Sequence, residues 1–197
     1  MASGASTDRN MTNYTPPARD TRFVLTELLG LADRPQLKVD GDLVDTIVGE
    51  AGRFAAEVIA PLNRVAHEHG CTRHADGSVT TPKGFREAYR AYVDSGWGTL
   101  ALPEEYGGQG LPHVLATVVE EYVDSACLAF NVYAGLRHGA VAALLAEGSD
   151  DIKERYLPKL VSGEWLGTMA LTEPQAGTDL GLIRTVPAAG SSTEQKR

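Results

Sequence analysis

The chain has 197 residues, of which 43% are apolar and 22% charged, with a net charge of −8. That length and balance fit one soluble domain, or a domain with the start of a second. The acidic balance argues against nucleic acid as the main partner, since phosphate binding needs clustered lysine and arginine; a small anion held by backbone amides stays possible.

Two cysteines, Cys71 and Cys127, form no metal or redox spacing. The absence of a disulfide framework points to a reducing compartment, so a cytoplasmic protein is expected. The first residues carry no signal pattern. The run Gly139 to Ala146 is too short to span a bilayer, and no membrane span is expected.

Residues 1–40 read as an arm with a short docking helix. Tyr14 to Pro17 reads as extended, and Phe23, Val24, Leu25, Leu28 and Leu29 make an amphipathic helix stopped at Gly30. A helical domain is expected over 41–163. Its first long helix runs from Asp42 to about His67, with apolar residues at three- and four-residue steps. Gly49 and Gly52 are expected to let a neighbouring helix approach closely, and Pro61 should kink the last turns. His67, His69, Cys71 and His74 match no common zinc spacing, so no metal site is expected. A loop follows, with a short hairpin around Asp76-Gly77.

Thr81 and Pro82 are placed as N-cap and first residue of the next helix, whose apolar face is Phe85, Ala88, Tyr89, Tyr92 and Val93. Gly96 ends it. From Trp97 to Pro112 the chain is a glycine-rich loop with enough apolar residues to be packed. Leu111 to Gly148 is almost all helix former, with a break expected at Asp124-Ser125. The all-round apolarity of the second half predicts burial inside a bundle. Arg137 and His138, within it, are expected to reach a surface or a backbone carbonyl. Ser149-Asp150-Asp151 caps a further helix, bent at Pro158 and stopped at Gly163. Leu166 to Leu171 reads as a strand, within a β element expected over 164–187. Residues 188–197 read as a disordered tail.

The stretch Thr168 to Asp179, TMALTEPQAGTD, is the best ligand site in the chain. Its apolar part can form a wall, and its small-residue turn leaves amides and hydroxyls free for a polar group.

The segment GWGTLALPEEYGGQGL, from Gly96 to Leu111, resembles a loop of the acyl-CoA dehydrogenase family. KERYLPKLVSGEWLGTMALTEPQAGTDLG, from Lys153 to Gly181, resembles that family's helix-to-strand passage, including its TEP-then-AG-then-Thr/Ser-Asp signature. The arm YTPPARDTRFVLTELLGL resembles that of the larger bacterial subgroup that includes 3-methylmercaptopropionyl-CoA dehydrogenases.

The resemblance implies a mainly α fold: the amino-terminal helical domain, only the first strand or strands of the middle β domain, and no carboxy-terminal helical bundle. It implies α,β-dehydrogenation of an acyl-CoA with hydride passing to FAD. Electron-transfer flavoprotein would be the acceptor, and the assembly a homo-oligomer. Met169, Leu171, Thr172, Gly177 and Thr178 fall at cofactor-binding positions. Thr178 and Gly135 fall at substrate positions. No catalytic residue is carried over, because the family's base, a glutamate, lies in the carboxy-terminal bundle; Glu173 is not expected to be that base. Two other readings stay open: a non-enzymatic remnant, or an acyl-CoA oxidase or flavin monooxygenase of the same fold.

Overall fold

The first helix, α1 (Ala18–Phe23), continues without a break into a π-helical turn at Val24–Leu28. A computed structural model of the chain describes residues 14–186; the expected tail and the beginning of the arm lie outside them. The helix starts earlier than the apolar pattern predicted. Pro17 sits at its N-cap, and the Thr21 hydroxyl donates to the Pro17 carbonyl at 3.0 Å. Gly30, at φ 54°, turns the chain out of it, a conformation that glycine adopts without penalty.

The arm docks on the helices that follow. Tyr122 donates to the Thr21 hydroxyl at 2.8 Å, and Arg22 pairs with Asp45 at 2.8 Å. A side chain at Gly52 would lie 2.9 Å from Pro16, so this glycine does serve a close approach, but the segment that comes nearest is the extended arm and not the neighbouring helix that was expected. The Arg22 pair is exposed and contributes little; the half-buried Tyr122 bond is the better tether. Tyr122→Phe is expected to destabilise the chain by about 1 kcal/mol. Limited proteolysis should then cut the arm faster while the helical core resists.

Helix α2 (Gly41–Phe54) is capped by Asp40, whose carboxylate accepts from the Leu43 amide at 2.8 Å. It passes through a second π-helical turn, Ala55–Ile59, into α3 (Ala60–His69). The irregularity therefore falls just before Pro61. Proline has no N–H to donate to the preceding turn, and a wider turn there re-registers the ladder. Strands β1 (Thr72–Arg73) and β2 (Val79–Thr80) form the expected hairpin, pairing Thr72 with Thr80.

Helix α4 (Phe85–Asp94) begins later than Thr81 and Pro82 predicted. Its N-cap is Gly84, at φ 90°, and the Pro82 carbonyl accepts from the Phe85 amide across a preceding turn. A side chain at Gly84 would meet Leu62 at 2.8 Å, so contact with α3 decides where the helix can start.

The loop after α4 is tightly folded. Gln109, Gly110 and Leu111 donate their amides to the carbonyls of Thr99, Leu102 and Leu100 at 2.8–3.0 Å. Helix α5 (His113–Glu147) is broken at Cys127 (φ −160°, ψ 92°), not at Asp124-Ser125. Cys127 is buried at this break; burial pushes its thiol up, and the nearby Phe130 and Ala129 amides partly oppose that rise. Helix α6 (Asp150–Val161) follows, with Pro158 inside it.

The core lies where α2, α3 and α4 meet both halves of α5. Phe130 is at its centre, with ring centroids 6.0 Å from Phe85 and 5.9 Å from Tyr92. The second half of α5 is not wrapped on all sides as predicted. Leu128 is 60% exposed, Val132 57% and Leu136 36%, a stripe at four-residue spacing. Hydrophobicity says that a face prefers to be covered, but not which segment covers it. By length and composition α5 could cross a membrane. Its other face builds the core of this helical unit, and core helices have the same composition.

The described residues divide into two compact units, one ending at Gly167 and one starting at Thr168. The fold is mainly helical, as expected. The predicted strand at Leu166–Leu171 does not form: no ladder bonds reach it, and the second unit holds only a bridge between Glu173 and Ala176. An isolated apolar segment cannot become a strand without a neighbour to pair with.

Candidate functional site

In the second unit, Glu173 and Ala176 exchange amide-to-carbonyl bonds at 2.8 and 3.1 Å, closing a tight turn over Pro174 and Gln175. Ala176 is buried. The loop that follows passes through a 3-10 turn, Leu180–Leu182, where the Asp179 carboxylate accepts from the Gly181 amide at 3.0 Å. The chain then returns to Glu173. The Arg184 amide donates to one carboxylate oxygen at 3.0 Å, and the Thr185 amide to the other at 2.8 Å. The Thr185 hydroxyl and the Gln175 side chain also donate to it.

These donors hold the Glu173 carboxyl down at about 2. The Thr185 hydroxyl is the largest cause, followed by the backbone amides of Arg184 and Thr185. A carboxylate so engaged is a poor proton acceptor, which agrees with its exclusion as a base.

Of the residues singled out from the sequence, Met169, Leu171, Thr172, Gly177 and Thr178 all belong to this unit and are exposed; Met169 is 65% exposed. The Thr172 methyl would lie 3.7 Å from a side chain at Gly177, so the two ends of the turn are close. Exposed apolar side chains thus lie beside exposed hydroxyls and a glycine. Gly135 lies in the helical unit, half-buried, with Asn131 Oδ1 3.1 Å from the position of an added side chain.

Sequence reasoning missed a cavity of about 300 Å³ in the helical unit. It lies between the glycine-rich loop and α5, lined by Trp97, Leu100, Leu102, Glu120, His138 and Val141 among others. His138 joins its walls: Nε2 lies 2.9 Å from the Gly98 carbonyl and Nδ1 3.1 Å from Glu120. His138 thus meets the expectation of a backbone carbonyl partner. It also lowers the Glu120 carboxyl below the usual range, against the opposing effect of burial. None of the residues singled out from the sequence for a site lines this cavity.

Arg137 does not meet its expectation. It is 1% exposed, and none of its three guanidinium nitrogens has a hydrogen-bond partner among the described residues. Side chains added at Gly98 and Gly163 would lie 1.7 and 2.7 Å from its nitrogens, so two glycines form its slot. The guanidinium lies near the Tyr92 hydroxyl and favours its ionised form. Burial still dominates there and pushes Tyr92 up to about 12. Helical periodicity could not reveal this, because the slot is built by residues distant in sequence. Among the described residues no cluster of His, Cys, Asp and Glu could hold a metal ion.

A profile described as the acyl-CoA dehydrogenase N-terminal domain matches residues 44–164. The chain belongs to the acyl-CoA dehydrogenase family. It is 40% identical to a 3-methylmercaptopropionyl-CoA dehydrogenase of Ruegeria pomeroyi over 178 residues, covering 87% of this chain and 30% of that protein. It is 31% identical to a butyryl-CoA dehydrogenase of Syntrophomonas wolfei over 183 residues, covering 88% of this chain and 29% of the relative. An isovaleryl-CoA dehydrogenase of Pongo abelii is 36% identical over 103 residues, or 50% of this chain and 23% of that protein. The chain therefore spans about 30% of the length of its first two relatives. The profile match falls wholly within the helical unit, and the signature turn lies beyond it.

Proposed function

We propose that this chain provides the helical domain and one face of the flavin site of an FAD-dependent acyl-CoA dehydrogenase. The observation that carries the reading is the TEP turn, closed by Glu173, with Thr172, Gly177 and Thr178 exposed around it. Met169 and Leu171 offer apolar surface to the ring. The Thr172 hydroxyl and neighbouring amides provide donors for its polar edge, where fixed donors stabilise charge as it develops. Gly177 lets the backbone approach closely, and the Thr178 hydroxyl serves a phosphate or the thioester. Gly135 leaves room for an acyl chain. When bound, FAD would supply hydride acceptance from the acyl-CoA.

In this reading the catalytic base comes from outside this chain, since the carboxylate of its signature turn is fully engaged. Electron-transfer flavoprotein as acceptor and a homo-oligomeric assembly complete the proposal. Two cysteines without a disulfide suit a cytoplasmic setting.

The test is the visible spectrum of the purified chain after adding FAD, followed by an acyl-CoA. Flavin that stays with the protein through gel filtration supports the binding role. Thr172→Ala with Thr178→Ala should then weaken retention by about tenfold or more, each lost hydrogen bond contributing about 1 kcal/mol. A colourless protein at saturating FAD would refute binding by this chain alone. Bleaching by acyl-CoA without any added polypeptide would refute the external base.

A further inference from the structure

Glu173 stands in the middle of the signature turn, yet the proposed chemistry gives it no part. It is also the most heavily hydrogen-bonded side chain of its unit. Its two carboxylate oxygens accept from the amides of Arg184 and Thr185, the Thr185 hydroxyl and the Gln175 side chain. The donors at 184 and 185 lie 11 and 12 residues further along the chain. Between them the segment is held by short-range bonds only: the turn at Ala176, the Asp179 cap and the contact of Gln175 with the Leu182 carbonyl. Nothing else in the described residues ties its two ends together. Such a loop has closure entropy that some contact must offset.

We propose that Glu173 is the positioning residue of this turn: its carboxylate clips the returning backbone at Arg184-Thr185 and so sets the presentation of Thr172, Gly177 and Thr178. For its consequence in cofactor binding the inference rests on the flavin reading; the clip itself does not. Two amides and a hydroxyl that converge on two oxygens need an ionised carboxylate, which accepts at both and donates at neither. Glutamine keeps one acceptor oxygen and places donors where the other bonds were. Aspartate is one methylene too short to reach from the turn.

The sign of the pH dependence follows. The carboxyl is held at about 2, below the value of about 4.3 for a free glutamate. The clip therefore contributes fully above about pH 4.3 and is lost as the pH falls through about 2.

Amide hydrogen exchange on the whole 197-residue chain tests the clip. Glu173→Ala should speed exchange at Arg184 and Thr185, and across 174–183, by about tenfold or more, with α2 to α6 unchanged. Glu173→Gln should fall between the two. The acid-dependent loosening at Arg184 and Thr185, away from the Asp179 cap, should be present in the native chain and absent from both variants. Unchanged exchange in Glu173→Ala, or an acid response that survives in Glu173→Gln, would overturn the proposal.

FAD alone is the second probe, read by flavin fluorescence. If the clip presents Thr178, the affinity lost in Thr178→Ala should nearly vanish in the Glu173→Ala background; full additivity would overturn the positioning role. Faster exchange in Glu173→Ala, with no FAD bound even by the native chain, would leave the clip standing and refute the flavin reading.

Discussion

Phe130→Ala will lower stability by about 3–5 kcal/mol, the largest loss expected from any single truncation in the helical unit. The ring is fully buried and lies edge-on or tilted against Tyr92 and Phe85. It also sits three residues after the Cys127 break. Truncation therefore opens a cavity at the point where the second half of α5 starts. For a chain of this size each kcal/mol moves the melting temperature by about 2–4 °C. Urea unfolding should show a lower midpoint with an unchanged slope. Leu128→Ala is the control on the same helix: its side chain is 60% exposed, and the change should stay within about 0.5 kcal/mol. Equal losses at the two positions would contradict the observed orientation of α5.

The second large effect has the opposite sign. Arg137→Met should stabilise the helical unit by about 1–4 kcal/mol, the range found when buried charges give way to apolar side chains of similar volume. A guanidinium removed from water with no hydrogen-bond partner among the described residues loses solvation and recovers little of it. Methionine is flexible enough to fill the same slot between Gly98, Gly163 and Tyr92. The slot itself gives a cross-check. Gly98→Ala places a methyl group 1.7 Å from Arg137 Nη2 and 2.9 Å from Tyr92, so alone it should cost about 1–3 kcal/mol by overpacking. Combined with Arg137→Met, which removes the nearer clash, the cost should shrink. The measurement is a double-mutant cycle by thermal or urea unfolding. Destabilisation by Arg137→Met would show that the guanidinium has a favourable partner, and additive effects would show that Gly98 does not pack against it.

Much of the helical unit was legible because its signals are local. The apolar face of α4, the hairpin at Asp76-Gly77 and the packed glycine-rich loop all follow from spacing and turn chemistry within a dozen residues. Several departures turn on details that spacing does not show. Gly84 packs close to Leu62, and α4 starts only after it. The α5 break falls at the buried Cys127, although Asp124 and Ser125 looked the better breakers. The Leu166–Leu171 segment lacks the pairing that would make it a strand.

The candidate site divides in the same way. TMALTEPQAGTD contains its own turn, glycine and hydroxyls, so the family and the residues of interest could be read from the chain directly. Residue types and their order carry that information without any fold. The engagement of Glu173 by Arg184 and Thr185, the burial of Arg137 between two glycines and the Glu120–His138 pair beside the cavity could not be read this way. Each depends on groups far apart in sequence meeting within a few ångströms. A sequence supplies the donors and acceptors; only the folded backbone determines which of them meet.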